Sequence, residues 1–127
     1  MAINSDQDIV TARQKGRGLA ADLGFSTTDS ILIATAISEL ARNIVSYAGK
    51  GEIALKAIHG SSRHGILVVA SDDGPGIPDL VQAMRDGFST SGSLGLGLPG
   101  VRRLMDEFQI ASQPGCGTTV TVKKWTQ

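Results

Sequence analysis

The apolar residues of this 127-residue chain change their period at Gly49 and Gly51, and that change constrains the fold more than any other feature. Before it, Ile33, Ile37, Leu40, Ala41, Ile44 and Val45 recur at helical spacing, behind Ser26, Thr27, Thr28 and Asp29, which are good N-caps. After it, Ile53, Leu55 and Ala57 alternate with polar neighbours from Glu52 to Ile58, and Gly65 to Ala70 is a more uniformly apolar run. With Gly60-Ser61-Ser62-Arg63-His64 between them, these two runs predict a β-hairpin. A helix stripe and a half-buried hairpin each need another apolar surface, so the helix is expected to lie on the strands.

The remaining segments extend this pattern. Ile9, Ala12, Leu19, Ala20 and Leu23 predict a first helix over about Asp8 to Leu23 with Gly24 as its stop, although Gly16 and Gly18 inside it each cost about 1 kcal/mol relative to Ala. Pro78 to Met84 predicts a short helix, and Pro99 to Phe108 another, with proline in its favoured first turn. Gln109 to Ser112 and Thr118 to Lys124 predict two strands around Pro114-Gly115-Cys116-Gly117. The order α-α-β-β-α-α-β-β predicts an α+β two-layer sandwich: a mixed, mostly antiparallel sheet covered on one face by helices. At this length a single domain, residues 1–127, is expected.

Composition narrows the function. Lys plus Arg and Asp plus Glu both count 12, so no net field draws the chain toward nucleic acid or an anionic membrane. The five aromatic residues are thin material for a base-stacking platform. A single cysteine, Cys116, excludes an internal disulfide, and no Cys/His spacing suits zinc. The first residues lack a basic stretch followed by an apolar one, and no apolar run reaches membrane-spanning length; a cytoplasmic protein is expected, with neither nucleic acid nor membrane as partner.

Three polar islands interrupt the apolar pattern. Glu39 and Asn43 stand four apart on the second predicted helix, with Arg42 three from Glu39. An Asn carbonyl suits Mg²⁺ and a neighbouring Glu could take a proton from a hydroxyl, although Glu39 and Arg42 fit an exposed i,i+3 pair equally well. Asp72-Asp73-Gly74-Pro75-Gly76 ends an apolar strand, where one carboxylate could accept from an exocyclic amine or merely cap its own turn. Seven of the 16 glycines fall between Gly74 and Gly100. The run Gly92 to Gly100 leads into a helix and could bring backbone N–H groups to phosphates, or serve as a flexible linker. It is neither a Walker loop nor a dinucleotide fingerprint.

In this order, Glu39-Leu40-Ala41-Arg42-Asn43, Asp72-x-Gly74-x-Gly76, Gly95-Leu96-Gly97 and Gly115-Cys116-Gly117-Thr118-Thr119 resemble the ATP site of the GHKL superfamily, with its Bergerat ATP-binding fold. Within it, the strings Thr35 to Ile44, Asp86 to Gly92 and Gly97 to Phe108 resemble RsbT-like switch serine/threonine kinases of bacterial stress signalling.

That resemblance implies ATP and Mg²⁺, with Glu39 as catalytic base, Asn43 as Mg²⁺ ligand and Asp72 holding the adenine amine. It implies Gly74, Gly76 and Ile77 around the adenine, and Thr118 or Thr119 at that end of the pocket. Phe88, Ser89, Thr90, Gly92, Gly95, Leu96 and Gly97, with Leu98 beside them, would form the lid over the phosphates. It further implies phosphoryl transfer to STAS-domain antagonists of the RsbS/RsbR kind and activation of an RsbU-like PP2C-type phosphatase. The alternatives are an anti-sigma factor kinase of the RsbW/SpoIIAB type and a nucleotide-gated docking module. The chain departs from many relatives in two ways: the N-terminal edge strand is expected to be short or missing, which leaves a homodimer open, and no lysine follows the lid hydroxyls. Arg102 and Arg103 fit phosphate or partner contact and solvated helix charges equally. His59, His64 and Cys116 carry no ligand or nucleophile pattern.

Overall fold

The computed structural model describes residues 1–76, 97–113 and 115–126. Three helices, α1 (Asp6–Asp22), α2 (Thr27–Tyr47) and α3 (Gly97–Leu104), accompany five strands. The strands are β1 (Ala2–Ile3), β2 (Gly51–His59), β3 (His64–Asp72), β4 (Glu107–Gln113) and β5 (Gly117–Trp125). They form one sheet in the order β1-β2-β3-β5-β4. All four pairings among the described residues are antiparallel, in keeping with the mostly antiparallel sheet expected.

Local chemistry accounts for the helix ends. The Ser26 hydroxyl accepts the Asp29 N–H at 3.0 Å, capping α2. At the end of α1, Gly24 adopts φ +93°, the Phe25 N–H donates to the Ala20 carbonyl and the Gly24 N–H to that of Ala21, the paired bonds of a Schellman stop. Gly16, a liability by propensity, has a packing reason: a Cβ there would lie 2.1 Å from Cδ1 of Ile37, so its absence lets α1 approach α2.

The core lies between the helices and one face of the sheet. Ile33, Ile37, Leu40 and Ile44 of α2 pack with Ile53, Ile66, Val68 and Val122, which alternation turns to the same side. Val101 and Met105 close the cluster from α3 and the residue after it.

One expectation is corrected. The helix predicted from Pro99 to Phe108 ends at Leu104, because Val101, Leu104, Met105 and Phe108 satisfy a helical period while Phe108 and Ile110 also satisfy a strand period. The ladder decides: the Asp106 N–H donates to the Lys123 carbonyl and Phe108 pairs with Val122. The N-terminal edge strand is short, as expected, at two residues; Ile3, 1% exposed, anchors it, and the Ile53 N–H donates to the Met1 carbonyl. The helix expected over Pro78 to Met84 lies outside the described residues.

Candidate functional site

Helix α2 carries the first polar groups into the core side of the sandwich. Glu39 is only 6% exposed, and a buried carboxylate requires partners. It has two: Arg42 Nη1 donates to Oε1, and the Gly97 N–H, at the start of α3, donates to Oε2 at 3.2 Å. The i,i+3 pair anticipated as an exposed one is therefore buried at its acidic end, while the Arg42 side chain is 37% exposed.

One turn further along α2, Asn43 lines a small cleft. Leu40, Ile44, Ala70 and Val120 supply much of its apolar wall, Tyr47 and Leu98 add to it, and Asn43, Asp72 and Thr118 are its polar members. An apolar slot with a few convergent polar groups is the usual form of a small-molecule or cofactor site. Asp72, at the end of β3, combines two readings offered by the sequence. Its Oδ1 accepts the Gly74 N–H at 2.9 Å, capping its own turn, and the same residue lines the cleft. A carboxylate has about four lone-pair sites, so an amine can be accepted while the turn bond remains.

The Asp72 turn is braced by the β4–β5 connection. The Gly115 N–H donates to the Pro75 carbonyl at 2.7 Å, and Gly117, at φ +84°, lies so close that a Cβ would stand 2.1 Å from the Asp72 carbonyl oxygen. Gly74 fits against α2, where a Cβ would come 2.5 Å from that of Ala48, and Gly76 is buried at φ +80°. Thr118 pairs with Asp72 in the ladder, and its hydroxyl lies 2.8 Å from that of Ser112. Of the two threonines, Thr119 stands apart from this cleft: the two-residue period turns it to the other sheet face, with Gln109, Ala111 and Thr121.

The fold thus gathers Asn43, Asp72, Leu98 and Thr118 in one cleft, with Gly74 and Gly76 in its adjoining turn. Glu39 is not among the lining residues. It faces a hollow shared with Asp6, Ile9, Arg13 and Thr35 of α1 and α2, and reaches the cleft only through Gly97 and its neighbour Leu98. Residues four apart on a helix differ by about 40° around the axis, which suffices here to send Glu39 and Asn43 into different hollows. Ile77, Phe88, Ser89, Thr90, Gly92, Gly95 and Leu96 lie outside the described residues.

Sequence reasoning passed over the apolar wall and the brace. Leu40, Asn43, Ile44 and Tyr47 repeat at i, i+3, i+4 and i+7, so the periodicity that identified α2 contained the signal. Nothing local marks Gly117 as the partner of Asp72. Arg102 and Arg103 are exposed in the last turn of α3, where cations suit the helix dipole. His59 and His64 are exposed and face each other with Nδ1 atoms 3.0 Å apart, at the opposite end of the hairpin from Asp72. Cys116 is an exposed free thiol. Among the described residues no helix is long and apolar enough to cross a membrane.

Comparison with known proteins places this geometry. Residues 28–126 match the family described as histidine kinase-, DNA gyrase B- and HSP90-like ATPase. The chain is 55% identical to serine/threonine-protein kinase RsbT of Bacillus subtilis (strain 168), over 97% of this chain and 92% of that one. It is 32% identical to an anti-sigma F factor of Thermoanaerobacter sp. (strain X514), over 97% and 89% of the two chains. Among solved structures it resembles the mycobacterial sensor histidine kinase MprB, with a TM-score of 0.55 at 17% identity over 98% of this chain and 96% of that one. The catalytic domain of histidine kinase ThkA matches equally, at 0.55 and 16% over 98% and 93%. At such identities the likeness is one of fold. The chain therefore belongs to the histidine kinase-, DNA gyrase B- and HSP90-like ATPase family, within its branch of RsbT-like serine/threonine kinases.

Proposed function

We propose that this protein is a cytoplasmic kinase that transfers the γ-phosphate of ATP to a Ser or Thr on STAS-domain antagonists of the RsbS/RsbR kind and, once released, activates an RsbU-like PP2C-type phosphatase. The observation that carries the reading is the 55% identity to RsbT over nearly the full length, in a chain whose cleft unites Asn43, Asp72 and Thr118.

The residues fit the nucleotide. The apolar wall suits the faces of adenine, Asp72 accepts from its amine, and Thr118 supports that end. Asn43 offers the amide oxygen for Mg²⁺, which typically takes one or two protein ligands and completes its shell with phosphates and water. Mg²⁺, when bound, neutralises phosphate charge. Glu39 takes the proton of the acceptor hydroxyl. Phosphoryl transfer needs mainly positioning and charge neutralisation, so these groups suffice.

Incubation with labelled ATP and any STAS-domain proteins encoded beside this chain tests the reading: label is expected on a Ser or Thr. No transfer to any of them, with ADP binding intact, would sink it. Glu39→Ala is expected to keep ADP affinity while transfer falls about a hundredfold or more, the usual contribution of a general base. If phosphatase activation survives that substitution, docking and transfer are separate outputs. The 32% identity to an anti-sigma F factor favours a second reading, an anti-sigma factor kinase of the RsbW/SpoIIAB type, and capture of a sigma factor in a pull-down would support it instead.

A further inference from the structure

We propose that Arg42 is a positioning residue for phosphoryl transfer, holding the Glu39 carboxylate in register with the start of α3. The inference rests on the reading of Glu39 as proton acceptor. Three observations carry it. Glu39 is buried, so its orientation is set by protein groups rather than by water. Its two oxygens have different partners: Oε1 takes the Arg42 guanidinium from within α2, and Oε2 takes the Gly97 N–H from α3. The residue after Gly97 is Leu98, which lines the nucleotide cleft. The carboxylate is therefore the joint between the helix bearing Asn43 and the helix opening at the cleft.

Neither partner alone would fix the carboxylate. The Gly97 N–H holds one oxygen and leaves the group free to swing about that contact. Arg42, donating to the other oxygen, removes this freedom and keeps the remaining lone pairs aimed in one direction. A carboxylate has about four lone-pair sites, so the two bonds leave room for the acceptor hydroxyl. Arg42 is suited to the task because its partly exposed side chain keeps its hydration while its Nη1 reaches inward. Arg42 moves no proton itself; it acts through Glu39.

Arg42→Met, which retains the aliphatic stem and removes the donor, tests the proposal in the full chain. The readouts are ADP affinity by titration and the rate of label transfer to the STAS acceptor at saturating ATP. Since misplacing a catalytic group by about 1 Å can cost about a hundredfold, kcat is expected to fall about tenfold to a hundredfold, with ADP affinity and the KM for ATP changed less than about twofold. Arg42→Lys, which restores a cationic donor, is expected to recover the rate to within about threefold. The double variant Glu39→Gln/Arg42→Met is expected to be no slower than Glu39→Gln alone, because residues acting as a unit are not additive.

A wild-type rate in Arg42→Met, beside an inactive Glu39→Gln, would overturn the role of Arg42 and leave the base assignment standing. So would multiplicative losses in the double variant, which would place Arg42 in a separate contact. A fully active Glu39→Gln would overturn the base assignment, and this proposal with it. Should Arg42→Met fail to bind ADP because it does not fold, Arg42→Leu, which also lacks a donor, carries the same expectations and the same overturning results.

Discussion

At the scale of single residues, the proposed adenine end of the cleft depends on one carboxylate and on a glycine distant from it in sequence. Asp72 spends one oxygen on its own turn and presents the residue to the cleft, so Asp72→Asn should leave the turn formed, because an amide oxygen can still accept the Gly74 N–H. The loss of charge-assisted pairing is expected to weaken ADP binding by about 1.5–3 kcal/mol, roughly ten- to a hundredfold in Kd, read by titration. Gly117 makes a sharper prediction. Its positive φ and the 2.1 Å approach to the Asp72 carbonyl leave no place for a methyl group. Gly117→Ala is therefore expected to lower unfolding stability by about 1–3 kcal/mol in urea titrations and to weaken ADP binding with it. Gly24→Ala, just after α1, serves as the control: its φ is also positive, but nothing lies within 4 Å of its added Cβ. It should cost stability only, about 1–2 kcal/mol. Equal loss of ADP affinity in both variants would show that the brace on Asp72 is not the cause.

At the scale of elements, α1 and α2 separate what propensity says from what packing says. Gly16 and Gly18 look alike in the sequence, each a helix-weakening glycine two residues from the other. Their surroundings differ. Gly16 is buried against Ile37, whereas a Cβ on the exposed Gly18 meets nothing within 4 Å. Gly16→Ala is expected to destabilise by about 1–3 kcal/mol through overpacking, and Gly18→Ala to stabilise by about 0.5–1 kcal/mol by removing a helix-interior glycine. Chemical denaturation of the two single variants checks both signs. Both main helices and the central hairpin were legible because each repeats one period over many residues and ends in a cap or a glycine. The junction of α3 with β4 was not, since Phe108 fits both periods and only the pairing partner Val122 on β5 decides between them. For the same reason Thr118 and Thr119 were equivalent in the sequence and became distinct once β5 took its register.

At the scale of the whole molecule, every described helix and the inner sheet face contribute to one apolar cluster, from Ile3 through Ile37 to Val122. We therefore expect a single cooperative unfolding transition, coincident by far-ultraviolet circular dichroism and by the fluorescence of Trp125. Two separated transitions would contradict a single domain over residues 1–127. Because the proposed cleft exists only in the folded chain, ADP at about a hundred times its Kd should stabilise the protein by about 2.7 kcal/mol. In Asp72→Asn the same absolute ADP concentration should stabilise markedly less, which links the residue-scale reading to the global one.

The sequence by itself determined the class of fold, the order of its main elements and the residue types available for a nucleotide, because periodicity, caps and short motifs are written locally. The two-layer α+β sandwich and the islands at Glu39, Asn43 and Asp72 follow from such signals. Tertiary structure decided which of these groups meet. It placed Asn43, Asp72 and Thr118 in one cleft, turned Thr119 to the other sheet face, and seated Gly117 against the Asp72 turn. It also buried Glu39 between Arg42 and the Gly97 N–H, rather than leaving it on the cleft wall beside Asn43. The physical reason is that each of these outcomes depends on a contact between segments far apart in the chain, and such a contact has no expression in the local pattern of either segment.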